Sequence, residues 1–397
     1  MKLSGINLTK RLCASFCFVV LMVLAWRWQR IFFLMCNGYI ISDVPAHIGL
    51  ALGNNDYTLA SYIVRALYAL FAEPQALTLL SVILSANVCI GVLTLWLLVC
   101  RMFPGLDRVY CLLAAILAHL CGPWIIPGVE SQMGMYLGVY NGNVYHNMTV
   151  LFSRTFIPLC FVFFFRLWDE RHGKISLGPW LGMTLSFLVC TLFKPNFAFA
   201  FIPMLGIWLI YDFIRHRASF FKNEVLMGLT VVPAGLACIA QYLVLFADNF
   251  AGTSSSMVLR VLTAAELLVL LIMYLRGLLL PIYTVALQGS REKEQKEHIL
   301  LMVICNAIAI FEACILTETG FRANDGNFDW GSLSLYPSLF AMSIALLLRM
   351  IQTGDMKKRK DRIKLIVGLV LLLGHLIVGV YCLHQPGNSG GYDWFYF

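Results

Sequence analysis

A carboxylate and an imidazole four residues apart, Asp43 and His47, follow the first long apolar run in the segment Ser42-Asp-Val-Pro-Ala-His47. A short helix there places both side chains on one face. A carboxylate held at a low-dielectric rim can take a proton from a hydroxyl as general base. The same segment has a plainer use, because Ser42 or Asp43 ahead of Pro45 suits a helix N-cap, and the two roles are compatible. In Phe193-Lys-Pro-Asn196 an ammonium ends a long apolar run, where it either snorkels to the interface or meets an anion such as a lipid phosphate. Arg322 stands among Glu318, Asp325 and Asp329; it neutralises them as an ion pair or holds a phosphate with its planar fork. Trp330, with Phe328 and Tyr336, stacks on a sugar ring or, more commonly for such residues, forms an interfacial belt. His146 sits between Asn143 and Asn147, either of which can cap the next helix, whereas the imidazole can donate to a phosphate or sugar hydroxyl. His47, Asn143, Asn147, Glu318, Asp325, Asn327 and Trp330 complete a candidate substrate-binding set. The histidines and their neighbouring carboxylates lack an HExxH or comparable spacing. No metal ligand is therefore assigned, and a divalent cation stays open as the one cofactor option.

The elements that must position these residues follow from composition. Of 397 residues, 60% are hydrophobic and 13% charged, against roughly 25% charged in a soluble domain. With a mean hydropathy of +0.79, the whole chain reads as a membrane protein with short polar connections. Nucleic-acid binding is excluded, because the net charge of +8 is explained by membrane orientation. Thirteen cysteines occur without a CxxC pair, mostly in apolar runs, and read as small hydrophobes. Lys2, Lys10 and Arg11 precede a first apolar stretch with no small-residue cleavage site, so a retained helix is expected. Runs near 20 residues place spans at about 12–35, 76–100, 108–123, 149–166, 177–193, 197–213, 225–246, 266–288, 299–316, 333–350 and 365–383. The expectation is an all-α polytopic protein of eleven spans, one transmembrane domain over residues 1–397. The span near 266–288 is weak, since residues 257–288 carry Arg260, Glu266, Arg276 and Pro281 and suit a broken or re-entrant helix.

Sidedness follows from the lysines and arginines, of which 21 of 29 fall before the first span or in alternate loops. The N-terminus is then cytoplasmic and the C-terminus outside. Outer loops lie at about 36–75, 122–148, 193–197, 247–258 and 317–332, and all the candidate residues fall there. The first also holds an amphipathic stretch, around 58–71, able to lie along the membrane surface. Inner loops such as Arg166–Lys174 and Arg291–His298 read as solvated connectors. A transporter needs polar sites near the midplane, and only Glu266, Arg276 and Glu312 approach it. One-sided chemistry favours an enzyme at the outer interface.

An acidic residue directly after the first span, followed by a surface-lying amphipathic stretch, resembles the GT-C class of polytopic membrane glycosyltransferases. That resemblance implies a polyprenyl-phosphate-linked sugar donor, a glycan or lipid acceptor, and action at the non-cytoplasmic face of a cell membrane. By it Asp43 is the catalytic base, and Lys194, Arg322 and His146 hold the donor phosphate. The chain departs from many members in having a lone Asp rather than an acidic pair in that loop, and no large soluble C-terminal domain. The segments GNVYHN, FKPN and ETGFRANDGNFDWG are also similar to those of uncharacterised bacterial polytopic proteins of the surface-polysaccharide type. A surface-polysaccharide polymerase or ligase, and a lipid-linked glycan flippase or transporter, are the alternatives.

Overall fold

In hydrocarbon every backbone N–H and C=O must be satisfied within the protein, so the long apolar runs form helices. The computed structural model describes residues 2–39, 42–53, 58–122, 124, 147–216, 219–245, 256–288, 295–319, 327–353 and 358–384. The first helices are α1 (Lys2–Cys36), α2 (Asp43–Leu52), α3 (Leu59–Leu70), α4 (Glu73–Met102) and α5 (Arg108–Leu120). They are followed by α6 (Met148–Glu170), α7 (Leu177–Phe193), α8 (Asn196–Arg215), α9 (Phe221–Leu229) and α10 (Val232–Leu245). Strand β1 (Met257–Leu259), α11 (Ala264–Gly277), α12 (Leu279–Gln288), α13 (Lys296–Ile315), β2 (Leu316–Glu318), α14 (Asp329–Thr353) and α15 (Arg359–His384) complete the order.

The chain is a multi-pass membrane protein: among the described residues eight segments are long and apolar enough to cross, α9 and α10 counting as one. A ninth is the pair α11 and α12, bent by 70°. That count is lower than the eleven expected, for a physical reason. Helices α5 and α7 form where spans were expected but have 13 and 17 residues. At 1.5 Å per residue they reach only about 20 and 26 Å of a core roughly 30 Å thick. Pro104-Gly105 and Cys121-Gly122-Pro123 bound α5, and Lys194-Pro195 stops α7. The bend between α11 and α12 agrees with the broken helix expected there. Pro281 supplies no N–H in the first turn of α12, and Gly277 ends α11.

Large apolar side chains face outward on α1 (Phe16, Val19, Trp26), α8 (Ile207, Ile210) and α15 (Ile366, Val370, Leu373), as lipid contact requires. At the centre, α14 is buried without interruption from Asp329 to Leu347. Its serines permit this, because Ser334 and Ser343 donate to Trp330 and Leu339 carbonyls one turn back and Ser332 donates to Asn306 Oδ1 at 3.0 Å. Helix α6 packs most extensively on α7 and α4, and Phe161, Phe164, Phe187, Phe197 and Phe201 interlock across α6, α7 and α8. Lipid tails are as apolar as these rings, so close packing rather than water exclusion holds them. A small antiparallel pair, β1 with β2, sets Met257 opposite Glu318 and Leu259 opposite Leu316.

At the basic end, described charges that were expected to be solvated also make ion pairs between helices. Lys10 pairs with Asp107 at 2.6 Å, and that hydrogen bond holds the Asp107 carboxyl below the usual carboxylate range. Asp169 at the end of α6 is shared by Arg101 of α4 and by His298 of α13 at 2.9 Å. Glu297 accepts from Trp168 Nε1 at 2.8 Å and from Arg171 at 3.1 Å. Among the described residues, Asp107, Asp169 and Glu297 each pair with a cation on or beside another helix and so cross-link helix ends.

Candidate functional site

At the opposite end, the polar residues singled out in the sequence form two groups. The first is built on the N-termini of α2 and α6. Ser42 caps α2, its Oγ accepting from Val44 N at 3.3 Å, which leaves the Asp43 carboxylate in the first turn without the capping task. A negative charge is favourable there beside the exposed N–H groups. Asn147 caps α6: its Oδ1 accepts from Thr149 N at 3.1 Å, Val150 N at 3.2 Å and Thr149 Oγ1 at 2.7 Å. With the amide oxygen fixed by the helix, the Nδ2 end can only point away from it, and it donates to Asp43 Oδ2 at 3.2 Å. Asn147 is buried and Asp43 half-buried, so a carboxylate at the rim of the bundle is oriented by a rigid donor. His47 lies one turn along α2 from Asp43 and is half-buried. Helix α3, where the amphipathic surface stretch was expected, is tied to α2 by Arg65 Nε donating to Ala51 O at 2.8 Å.

The second group gathers around the turn between α7 and α8. Lys194 is the C-cap residue of α7, where the helix dipole favours a cation, and its Nζ lies 5.7 Å from the centre of the Trp330 ring. Asn196 Nδ2 donates to Asn327 O, and Asn327 Nδ2 donates to Glu318 Oε2 at 2.6 Å. Asp329, the first residue of α14, accepts from Tyr274 OH at 2.8 Å. Glu318 and Asn327 thus pin β2 to the start of α14 and to the α7–α8 turn. Trp330, Phe328 and Tyr336 are each no more than 8% exposed, so they are packed inside the protein and do not form an interfacial belt. Both groups lie at the same end of the bundle. Phe193, next to Lys194, stacks on Phe152 with centroids 4.7 Å apart, and Phe152 is five residues from Asn147, about 7.5 Å of helix axis. Arg322, His146, Asn143 and Asp325 lie outside the described residues.

Two readings change with the structure in view. Glu266 is exposed and closes a capping box with Thr263, whose N–H and Oγ1 both donate to its carboxylate at 2.8 Å, so helix capping accounts for it. The pattern Thr263-x-x-Glu266 was the signal for this. Arg154 was passed over, although a cation inside the run 149–166 is conspicuous by type. It is buried on α6, seven residues and therefore two turns below Asn147 on the same face. Around it runs a polar seam in the bundle interior, with Asn87 Nδ2 donating to Leu151 O at 3.0 Å and Thr155 Oγ1 donating to Asn87 O at 3.1 Å. Intramembrane cations facing a bundle interior ordinarily mark function.

The arrangement can orient a carboxylate for proton abstraction and offers an ammonium at the same end of the bundle. No known family model matches the chain, and no similar protein is found among curated ones.

Proposed function

We propose that the chain is a membrane glycosyltransferase that moves a sugar from a polyprenyl-phosphate-linked donor to a glycan or lipid acceptor at the non-cytoplasmic face, in cell-surface glycan synthesis. The observation that carries this reading is the Asp43 carboxylate, at the rim of the bundle just after the first span, held by the Asn147 amide. Lys194 at the same end suits the donor phosphate, with Arg322 and His146 as further phosphate-binding groups. In this reading the N-terminus is cytoplasmic, and α5, α7 and the α11–α12 pair each make one crossing, the bilayer thinning locally around the short α5 and α7, giving eleven.

The donor's prenyl tail lies in the bilayer. Asp43 takes the proton of an acceptor hydroxyl, whose oxygen bonds to the anomeric carbon as the bond from that carbon to the phosphate oxygen breaks. The electron pair leaves with the polyprenyl phosphate, and positive side chains stabilise the charge that develops on it. No general acid is needed, because phosphate is already a good leaving group.

The test is transfer of radiolabelled sugar from a panel of polyprenyl-phosphate donors by purified protein in detergent, with membrane lipid extract as acceptor. Asp43→Asn should lower transfer by roughly 10²–10⁴-fold, the contribution of a positioned general base, without loss of folded protein. Unchanged turnover in that variant would remove Asp43 from the chemistry. Loss in Arg322→Ala with retention in Asp43→Asn would instead point to a polymerase or ligase.

A further inference from the structure

The basic end holds a side-chain group that the proposed transfer does not use. Asp212, near the C-terminus of α8, is 3% exposed. Its Oδ2 lies 2.8 Å from His172 Nε2, and its Oδ1 lies 3.3 Å from His216 Nδ1, one turn further along the chain. One nitrogen from each histidine and one Asp212 oxygen all lie within 4.8 Å of one another. A tetrahedral ion with ligands at about 2.1 Å separates its donor atoms by roughly 3.4 Å, so the group is close to the required span.

A second observation points to a ligand. Glu224 of α9 is 6% exposed, and its Oε1 is buried with no hydrogen-bond partner among the described residues. Its charge lies near enough to interact with those of Asp212, His216 and His172. A buried carboxylate oxygen without a donor is costly unless a cation completes its surroundings.

The neighbours support the ligands as a metal site requires. His172 sits between two backbone carbonyls, of Arg171 and Gly173, that both accept from Asn223 Nδ2, at 2.9 and 2.7 Å. Phe220 stacks on the His172 ring at 4.4 Å and meets the His216 ring edge-on at 5.7 Å. Arg171 Nε, 3.4 Å from Asp212 Oδ1, can keep that oxygen while Oδ2 turns to an ion, the usual outer contact of a ligating carboxylate. Competition from this cation is offset by two carboxylates, Asp212 and Glu224. The imidazoles remain about a third exposed, which gives an ion an entry path.

We propose that His172, Asp212 and His216 bind a divalent first-row transition-metal ion, with zinc as the best match to two imidazoles and a carboxylate, and with the charge of Glu224 supporting it from outside the three ligands. The ion joins the loop after α6 to the end of α8. This site is independent of the transfer reaction proposed for the other end.

The experiment takes full-length protein in detergent, strips it with chelator, equilibrates it with zinc and measures retained metal together with zinc-edge X-ray absorption. Expected are one zinc per chain, a shell of N and O at about 2.0–2.1 Å, and a thermal midpoint that rises on zinc addition. His172→Gln and His216→Gln should each lose the stoichiometric zinc and the zinc-dependent rise while eluting like the parent protein. Glu224→Gln should weaken binding by roughly 10–100-fold. The proposal is overturned if the parent protein retains no zinc or if both histidine variants retain as much as the parent. It also fails if the shell is sulfur at about 2.3 Å, which would assign the metal to cysteines.

Discussion

The amide of Asn147 serves two partners at once, and the two uses can be separated by substitution. Asn147→Ser retains an N-cap oxygen but not the donor to Asp43, whereas Asn147→Ala loses both. Thermal unfolding in detergent should show the alanine variant destabilised by about 1 kcal/mol and the serine variant close to the parent protein. Sugar transfer should fall equally in both, because orientation of Asp43 is lost in each. A serine variant with full turnover would show that Asp43 needs no such orienting contact. Each partner was legible alone, Asp43 as an acid after the first apolar run and Asn147 as a cap. Their contact was not, since it joins residues 104 positions apart and no local pattern encodes it. Arg154 shows the reverse case: its charge is visible in the apolar run, but which face of α6 it occupies is not.

Among the elements, the bent pair α11 and α12 is the one whose shape depends most plainly on a single residue. A Cβ on Gly277 would lie 2.9 Å from Tyr336 Cε2, and that ring is fully buried in α14. Gly277→Ala should therefore cost about 1–3 kcal/mol through overpacking, measured as a lowered thermal midpoint. Combining it with Tyr336→Leu should give less destabilisation than the sum of the two single changes. Equal additivity would mean that the helices separate without strain. The helices themselves were readable from apolar run length, and the weakness of the segment near 266–288 from its charges and Pro281. Span length was the less readable part. Helices α5 and α7 look like spans by composition, yet their bounding prolines and glycines stop them short, and how far a boundary trims a run is set by tertiary packing. The strands β1 and β2 escaped notice because three-residue strands carry no periodicity.

For the molecule as a whole, the two ends differ in kind. One is cross-linked by ion pairs among Lys10, Arg101, Asp107, Asp169, Arg171, Glu297 and His298; the other carries amide-oriented carboxylates and the β pair. In the proposed orientation, the excess of lysine and arginine puts the ion-paired end in the cytoplasm. Fusions truncated after Gly173 should then carry a fluorescent cytoplasmic reporter, and fusions after Gly53 an active exported phosphatase. The opposite pattern would invert the orientation and take the proposed transferase face into the cytoplasm. Charge counting conveyed this asymmetry, but it could not distinguish a solvated loop from a clasp, because the partners of each charge come from distant helices.

The last helix is bound back to the earliest part of the chain. Gly122 N donates to His375 O at 2.8 Å, and Arg27 Nε donates to Leu383 O at 3.2 Å, linking α15 to the region after α5 and to α1. During synthesis these two contacts can therefore form only after α15 itself has left the ribosome. Closure of the bundle is consequently a late event in biogenesis, and a chain that ends prematurely before α15 leaves its earliest helices exposed to quality-control proteases.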